Sequence, residues 1–177
     1  MFETQIGRCG IAWSWDGVIG LSIPEASASA VRARLLQRFP AAAESAPPVQ
    51  VARAIEAIRS LLRGEHTDLS GIGLDMDGVP AFNRSVYEIT RTIAPGRTLT
   101  YGEIAARVGT PKDARGVGQA LGRNPFPIVV PCHRVVAADG RMHGFSGPGG
   151  VTTKLKLLEI EGYEPNPGPS LFEVHPT

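Results

Sequence analysis

The spacing of apolar residues divides the chain into short strands followed by helices. Residues 5–23 alternate apolar and polar positions on both sides of Asp16-Gly17, a dipeptide that favours a tight turn, so we predict a two-stranded hairpin there. Apolar residues at helical spacing then predict helices over 26–39 and 49–62, separated by an Ala/Pro-rich loop. The amino-terminal part of the chain is therefore expected to form a small sheet packed with helices.

A glycine-rich stretch at 64–79 interrupts this pattern, and we interpret it as a connection between domains or an edge strand. Helical spacing returns after it. We therefore predict an α/β fold of the α+β kind with two domains. The first is a small sheet-plus-helices domain over 1–78, the second is a mainly helical domain over 79–165, and a tail follows over 166–177.

Two short helices with helix-turn-helix spacing are predicted inside the second domain. Thr100 and Glu103 form a capping-box sequence at the start of the first helix. Thr110 suits the N-cap and Pro111 the first position of the second helix, predicted over 111–122. Because many helical hairpins bind nothing, this geometry is only a weak indication of DNA binding. The polar side chains that the second helix would present are those of Lys112, Arg115, Gln119 and Arg123.

Charge is unevenly distributed, although the net charge is only +1. Residues 1–78 carry seven Lys/Arg against nine Asp/Glu, whereas residues 79–165 carry eleven against seven. The positive excess of the second domain suits phosphate binding, but an ordinary solvated surface would explain it equally well.

The two cysteines, Cys9 and Cys132, fit neither a disulfide framework nor a C-x-x-C metal pattern, which suits a reducing compartment. Cys9 is expected to fill the core. With Cys9 and His66 as the sole Cys or His ligands in the first domain, we expect no metal site. The chain shows neither a basic start followed by an apolar segment nor a long apolar run, so we expect a cytoplasmic protein without membrane association.

Cys132 interrupts an apolar segment. Residues 126–136 read as a strand-like run, and Pro131 should end regular pairing where Cys132 stands. The neighbouring His133 is a base that could lower the pKa of the thiol. Adjacent residues of an extended chain point to opposite faces, so a water bridging the two side chains is expected instead of direct contact. For an arbitrary Cys-His pair, a buried cysteine beside a surface histidine would be the preferred interpretation.

The wider sequence resembles one family. Residues 131–135, Pro-Cys-His-Arg-Val, match the active-site pentapeptide of the methylated-DNA–protein-cysteine methyltransferases, the O6-alkylguanine-DNA alkyltransferase family. The resemblance is close over 80–163, whereas residues 1–78 resemble the family's more variable amino-terminal domain in length and layout. Further shared motifs lie at 100–103, 114–118, 123–125 and 144–147.

The resemblance implies an irreversible, single-turnover reaction that restores guanine. Cys132 would accept the alkyl group from O6-alkylguanine in DNA, with no cofactor. His133 would act through a water, and Glu161 would complete the relay, while Glu159 is expected on a solvated face. Tyr101 would contact the target nucleotide and help to turn it out of the duplex.

The resemblance also implies how double-stranded DNA is held. The second helix of the helix-turn-helix would lie in the minor groove, where Arg115 would fill the space left by the flipped guanine and Lys112 would add a contact. Asn124 would tie this helix to the active-site segment. Ser146 and Gly147 belong to a loop that would close over the base, and this loop is longer than in the family's commonest form. We expect a monomer, with cooperative binding left open.

Three other functions are weighed against this one. A non-catalytic protein that binds alkyl lesions would lack the acceptor, so Cys132 argues against it. A helix-turn-helix regulator without chemistry would need neither His133 nor Glu161. A cysteine hydrolase built on Cys132 and His133 would release product repeatedly, so turnover separates it from a self-alkylating protein.

Overall fold

The computed structural model describes residues 1–138 and 145–163. Its first part is a three-stranded antiparallel sheet with the strands in sequence order, followed by two helices. The elements are β1 (Phe2–Thr4), β2 (Gly7–Trp13), β3 (Val18–Ser22), α1 (Ala28–Arg38) and α2 (Val49–Leu62). The predicted hairpin and both helices are confirmed, whereas β1 was not predicted.

The second part is mainly helical. Its one sheet within the described residues is a pair of two-residue strands, β4 and β5, that run parallel with Leu99 opposite Val135. The elements are α3 (Ala81–Arg91), β4 (Leu99–Thr100), α4 (Tyr101–Arg107), α5 (Ala114–Gly122), β5 (Val135–Val136) and α6 (Gly150–Ile160), with one turn of 3-10 helix over Cys132–Arg134. The structure thus has the mixed α/β character that the sequence predicted.

The predicted capping box at the start of α4 is confirmed in both halves. The Thr100 hydroxyl accepts a hydrogen bond from the Glu103 N–H at 3.2 Å, and the Glu103 carboxylate accepts one from the Thr100 N–H at 2.7 Å. Two otherwise unpaired donors at the helix start are satisfied in this way. The cap fixes the position of Tyr101, which is the first residue of α4.

The predicted start of α5 is wrong by one turn. The helix begins at Ala114, and its N-cap is Asp113, whose carboxylate accepts the Gly116 N–H at 2.8 Å. The residues before it form a turn closed by a 2.8 Å bond from the Asp113 N–H to the Thr110 carbonyl. The Asp113 carboxylate satisfies the Gly116 N–H, one of the donors left unpaired at a helix start, so the helix starts after Asp113. Lys112 therefore lies in the turn and not on the helix.

The strand-like apolar run before the active-site motif is also different from the prediction. Residues 126–130 form buried turns, with a 2.8 Å bond from the Val130 N–H to the Phe126 carbonyl. Ile128 has φ 75°, a left-handed conformation that is strained for a β-branched residue. Regular pairing is confined to Val135–Val136, which follow the cysteine. The run is apolar because it is buried, not because it is a strand.

The core extends as one cluster of buried apolar side chains from the sheet through α2, α3 and α5 to the active-site segment. A 2.8 Å bond from the Leu21 N–H to the Pro125 carbonyl joins β3 directly to the segment that precedes Cys132. The segment 64–79 contributes a parallel bridge between Val18 and Leu74. The domain boundary near residue 78 stays a prediction. In residues 1–138 and 145–163, no helix has the length and apolarity needed to cross a membrane.

Candidate active site

Cys132 stands at the first position of the 3-10 turn, directly after Pro131, and is half-buried. Burial raises the pKa of its thiol, while a hydrogen bond with Asn124 and the positive charge of Lys154 act in the opposite direction. The thiol is therefore held in an apolar setting beside groups that favour the thiolate.

Glu161 forms hydrogen bonds with His133 and Arg134, the two residues that follow Cys132 in the sequence. His133 Nε2 lies 2.8 Å from Glu161 Oε1, and the two side chains are 1% and 2% exposed. Arg134 donates from Nε to Oε2 and from Nη2 to Oε1, each at 2.8 Å. The third guanidinium nitrogen, Nη1, donates to the Ile93 carbonyl. One carboxylate therefore orients an imidazole and a guanidinium at once.

These contacts set the charge states of the group. Burial lowers the pKa of His133, although Glu161 raises it, so the imidazole is neutral at pH 7. Burial alone would raise the pKa of Glu161, but the hydrogen bonds from His133 and Arg134 outweigh it and lower the value to about 2. Among the described residues, His133 Nδ1 is buried without a hydrogen-bond partner. The ring thus keeps one free nitrogen while the other is fixed by Glu161.

Asn124 connects α5 to the turns that lead to Cys132. Its Nδ2 donates to the Val130 carbonyl at 2.9 Å, and its Oδ1 accepts the Phe126 N–H at 2.9 Å. The amide thus uses its oxygen and one of its donors on backbone, in the connecting position that the resemblance implied. The side chain thereby couples the position of the thiol to the end of α5.

Tyr101 begins α4 and is half-buried near Cys132. Burial raises the pKa of its phenol, and the nearby thiol adds to this shift, so the hydroxyl remains a donor at neutral pH. A Cβ atom added to Gly118 would lie 3.7 Å from the Tyr101 ring, which shows how closely α5 packs on α4.

The outer surface of the helix-turn-helix carries the basic residues that the sequence singled out. Lys112, Arg115 and Arg123 are all exposed, in the turn before α5, on its first turn and at its C-cap respectively. Gln119 is exposed on the same helix. These side chains are available to a partner, and nothing in their immediate surroundings fixes what that partner is.

The segment after the gap in the described residues lies against the end of α5. Ser146 is exposed, and its hydroxyl donates to the Gly122 carbonyl at 3.2 Å. A Cβ added to Gly147 would lie 2.5 Å from Phe145 Cε1 and 3.0 Å from Ile23 Cδ1, so only glycine fits this packing. Gly144, which belongs to the predicted loop, lies outside the described residues.

A cavity of about 100 Å³ opens onto Cys132. Its walls come from β3, α1, the end of α5 with the turn that follows, and the segment that begins at Phe145. Asn124, Ser146 and Gly147 line it together with the cysteine. The structure therefore brings these predicted site residues to one pocket, while Arg115 and Lys112 lie outside it.

Two residues of the site were not predicted from the sequence. Arg134 is 5% exposed and completes the contacts of Glu161, and Lys154 is 0% exposed and donates from Nζ to the Val135 carbonyl. A signal for Lys154 exists in the sequence, because it shares one stripe of α6 with Leu157, Leu158 and Glu161. A charged residue on an apolar stripe is expected to have a buried partner.

Comparisons with known proteins agree with this geometry. The family model described as the DNA binding domain of 6-O-methylguanine DNA methyltransferase matches residues 81–163. A methylated-DNA–protein-cysteine methyltransferase of Methanothermobacter thermautotrophicus is 38% identical over 154 residues, covering 86% of this chain and 78% of the relative. One of Mycobacterium leprae is 42% identical over 122 residues, covering 69% and 72%.

Solved structures give the same result. That of Mycobacterium tuberculosis OGT in complex with DNA has a TM-score of 0.71 and 32% identity, and it covers 90% of this chain and 89% of that one. That of the O6-methylguanine-DNA methyltransferase from the archaeon Pyrococcus kodakaraensis has a TM-score of 0.67 and 30% identity, with 87% and 90% covered. From its sequence identity, coverage and fold, the chain belongs to the methylated-DNA–protein-cysteine methyltransferase family.

Proposed function

We propose that this protein repairs O6-alkylguanine in double-stranded DNA by moving the alkyl group irreversibly to Cys132. The observation that carries the proposal is a half-buried thiol at a pocket, backed by the buried His133–Glu161 pair. A DNA-binding methyltransferase of the repair class is what family membership indicates.

The reaction is one displacement at the alkyl carbon. His133 is neutral, so its Nδ1 can take the thiol proton through a water, and Glu161 stabilises the imidazolium that forms. The Cys132 thiolate attacks the carbon, the carbon–O6 bond breaks, and its electron pair stays on the guanine. The Tyr101 hydroxyl donates a hydrogen bond to that base, which takes up one proton, and this uptake balances the proton that the thiol gave to His133. A thioether remains on the protein, and one molecule repairs one lesion.

The DNA would approach along the outer face of α4 and α5. We place α5 in the minor groove, with exposed Arg115 filling the space of the flipped base and Lys112 contacting backbone from the preceding turn. The small cavity at Cys132 supports base flipping, because a base within the duplex could not reach a thiol inside such a pocket. Asn124 and the Ser146–Gly147 segment would border the flipped base.

The proposal includes two domains that meet near residue 78 and a protein that acts as a monomer. The boundary lies in a segment that forms no helix in the described structure and contributes one isolated bridge to the sheet. Because the acceptor must be a free thiol, we place the protein in a reducing compartment such as the cytoplasm.

The test is the intact and peptide mass of the protein after reaction with a duplex that contains O6-methylguanine. We expect one added methyl on the Cys132 peptide, saturating at one equivalent, and none in Cys132→Ala. Cys9→Ala is the matched control and should still react, because Cys9 is 0% exposed and burial raises its pKa to about 11. An unmodified protein that still bound the lesion would be a recognition protein, and repeated turnover would indicate a hydrolase.

A further inference from the structure

The pocket that contains Cys132 has a basic rim that the reaction does not use. Three guanidinium groups line it, those of Arg34 and Arg38 from α1 and that of Arg123 from the C-cap of α5. None of the described residues that line this pocket is acidic. The rim is therefore a concentration of positive charge at the entrance to the thiol, and two of its three members come from the amino-terminal part of the chain.

The fold holds the three groups together. Arg34 and Arg38 are four residues apart on α1 and so share one face of the helix. Arg38 Nη2 donates to the Arg123 carbonyl at 3.4 Å, which brings the end of α1 to the end of α5. Arg34 Nη1 lies 3.0 Å from Glu25 Oε1, and its side chain is still 53% exposed. Both α1 arginines therefore keep donors that can reach a ligand.

The positive charge of the rim is not fully neutralised by acidic residues of the described structure, which favours the binding of an anion. Burial lowers the pKa of Arg38, Tyr87 opposes that shift, and the like charge of Arg34 adds to it. In the described part of the chain, Arg38 forms no ion pair with an acidic residue. Its guanidinium carbon lies 5.9 Å from the centre of the Phe39 ring. Like charges on one helix face destabilise the helix by themselves. A guanidinium offers five donors in a planar fork that matches a phosphate.

We propose that Arg34 and Arg38, together with Arg123, bind a backbone phosphate of the lesion-bearing DNA strand beside the flipped nucleotide. The DNA interface would then include α1, which lies outside the matched DNA-binding domain of residues 81–163. This inference rests on the proposed function, because a flipped nucleotide brings its flanking phosphates to the pocket entrance. It assigns to the amino-terminal part a direct role in holding the substrate.

The test is DNA binding as a function of salt, measured in a Cys132→Ala background so that no transfer intervenes. Arg38→Gln and Arg34→Gln should each weaken binding about tenfold at low salt. The double variant Arg34→Gln/Arg38→Gln should also reduce the slope of log affinity against log salt by about one, because the two arginines share one phosphate contact. Arg38→Lys should retain most of the slope, since a lysine still neutralises a phosphate. Arg32→Gln is the matched control on the same helix, because Arg32 pairs with Glu44 at 3.5 Å and lines a different cavity.

A second readout separates phosphate binding from pocket structure. With Cys132 present, alkyl transfer from the duplex should fall at least fivefold more in Arg38→Gln than transfer from the free base O6-benzylguanine, which has no phosphate. An equal loss on both substrates, or an unchanged salt slope, would overturn the proposal. So would a loss confined to a duplex with an O6-carboxymethyl adduct, since the contact would then be with the alkyl group. Failure of the wild type to transfer from either substrate would instead refute the proposed function.

Discussion

Glu161 is the residue that orients His133 and neutralises the buried charge of Arg134. It accepts hydrogen bonds from His133 and from two nitrogens of Arg134, and all three side chains lie inside the protein. A neutral glutamine of the same size cannot do the work of Glu161, because the buried charge of Arg134 would then lack a counter-charge. The stability of the site is therefore sensitive to the loss of any one of these three side chains.

We expect Glu161→Gln to lower the free energy of unfolding by roughly 3 kcal/mol and to slow alkyl transfer. Urea denaturation and single-turnover kinetics measure the two effects. Glu159→Gln is the control on the same helix, and its exposed side chain should leave both quantities nearly unchanged. If the two variants behaved alike, Glu161 would have no part in the proposed relay.

The same carboxylate predicts a pH dependence. Its pKa is lowered to about 2 in the folded protein from the ordinary 4.5, so it binds fewer protons than in the unfolded chain between these values. Its stabilising contribution is complete above about pH 4.5 and is lost as the pH falls towards 2. The stability difference between wild type and Glu161→Gln should therefore shrink over that interval in urea titrations. A difference that stays constant with pH would contradict the prediction.

Lys154 is predicted to support the Cys132 thiolate. Its ammonium is buried, donates to the Val135 carbonyl, and lowers the pKa of Cys132 by its charge, so Lys154→Met should raise that pKa further. The pH profile of alkylation by iodoacetamide should move to higher pH. The exposed Lys156 lies two residues away, and Lys156→Met should leave the profile in place. A shift of equal size in both variants would mean a general charge effect.

At the scale of elements, the two helices of the helix-turn-helix show what a local pattern can and cannot define. The capping box of α4 is closed by Thr100 and Glu103 alone, so a pattern of four consecutive residues sufficed to place it. At α5 the pattern predicted Thr110 as the N-cap, and this prediction was wrong. In the structure Asp113 caps the helix, and the Thr110 carbonyl closes the preceding turn.

Removing this cap is expected to destabilise α5. Asp113→Ala should cost about 1 kcal/mol of unfolding free energy, because the Gly116 N–H loses its acceptor. Asp113→Asn keeps an oxygen acceptor and should lose only a fraction of that. Chemical denaturation of the two variants tests the assignment, and a larger loss in Asp113→Asn than in Asp113→Ala would show that another group caps the helix.

At the scale of the whole molecule, the pocket is assembled from segments that are distant in sequence. It joins β3, α1, the end of α5, Cys132 and the segment after Phe145. Two hydrogen bonds hold the amino-terminal elements against the active-site segment. One joins the Leu21 N–H to the Pro125 carbonyl, and the other joins the Arg38 side chain to the Arg123 carbonyl. The amino-terminal part therefore shapes the pocket, although it matches the family less closely in sequence.

Apolar periodicity was sufficient to predict α2 to the residue and the β2–β3 hairpin, because amphipathic burial and a glycine-containing turn are local properties. The pentapeptide around Cys132 and the further motifs over 80–163 were sufficient to predict the family, and the family resemblance predicted Glu161 as the partner of His133. What only the tertiary structure decided are contacts between distant segments, namely the burial of Lys154, the second carboxylate contact of Arg134 and the arginine rim. Apolar residues 126–130 were predicted to be strand-like, but the left-handed conformation of Ile128 and the two hydrogen bonds of Asn124 belong to buried turns. Local pattern reports which residues are buried, whereas the partner that satisfies each buried charge is chosen by the fold.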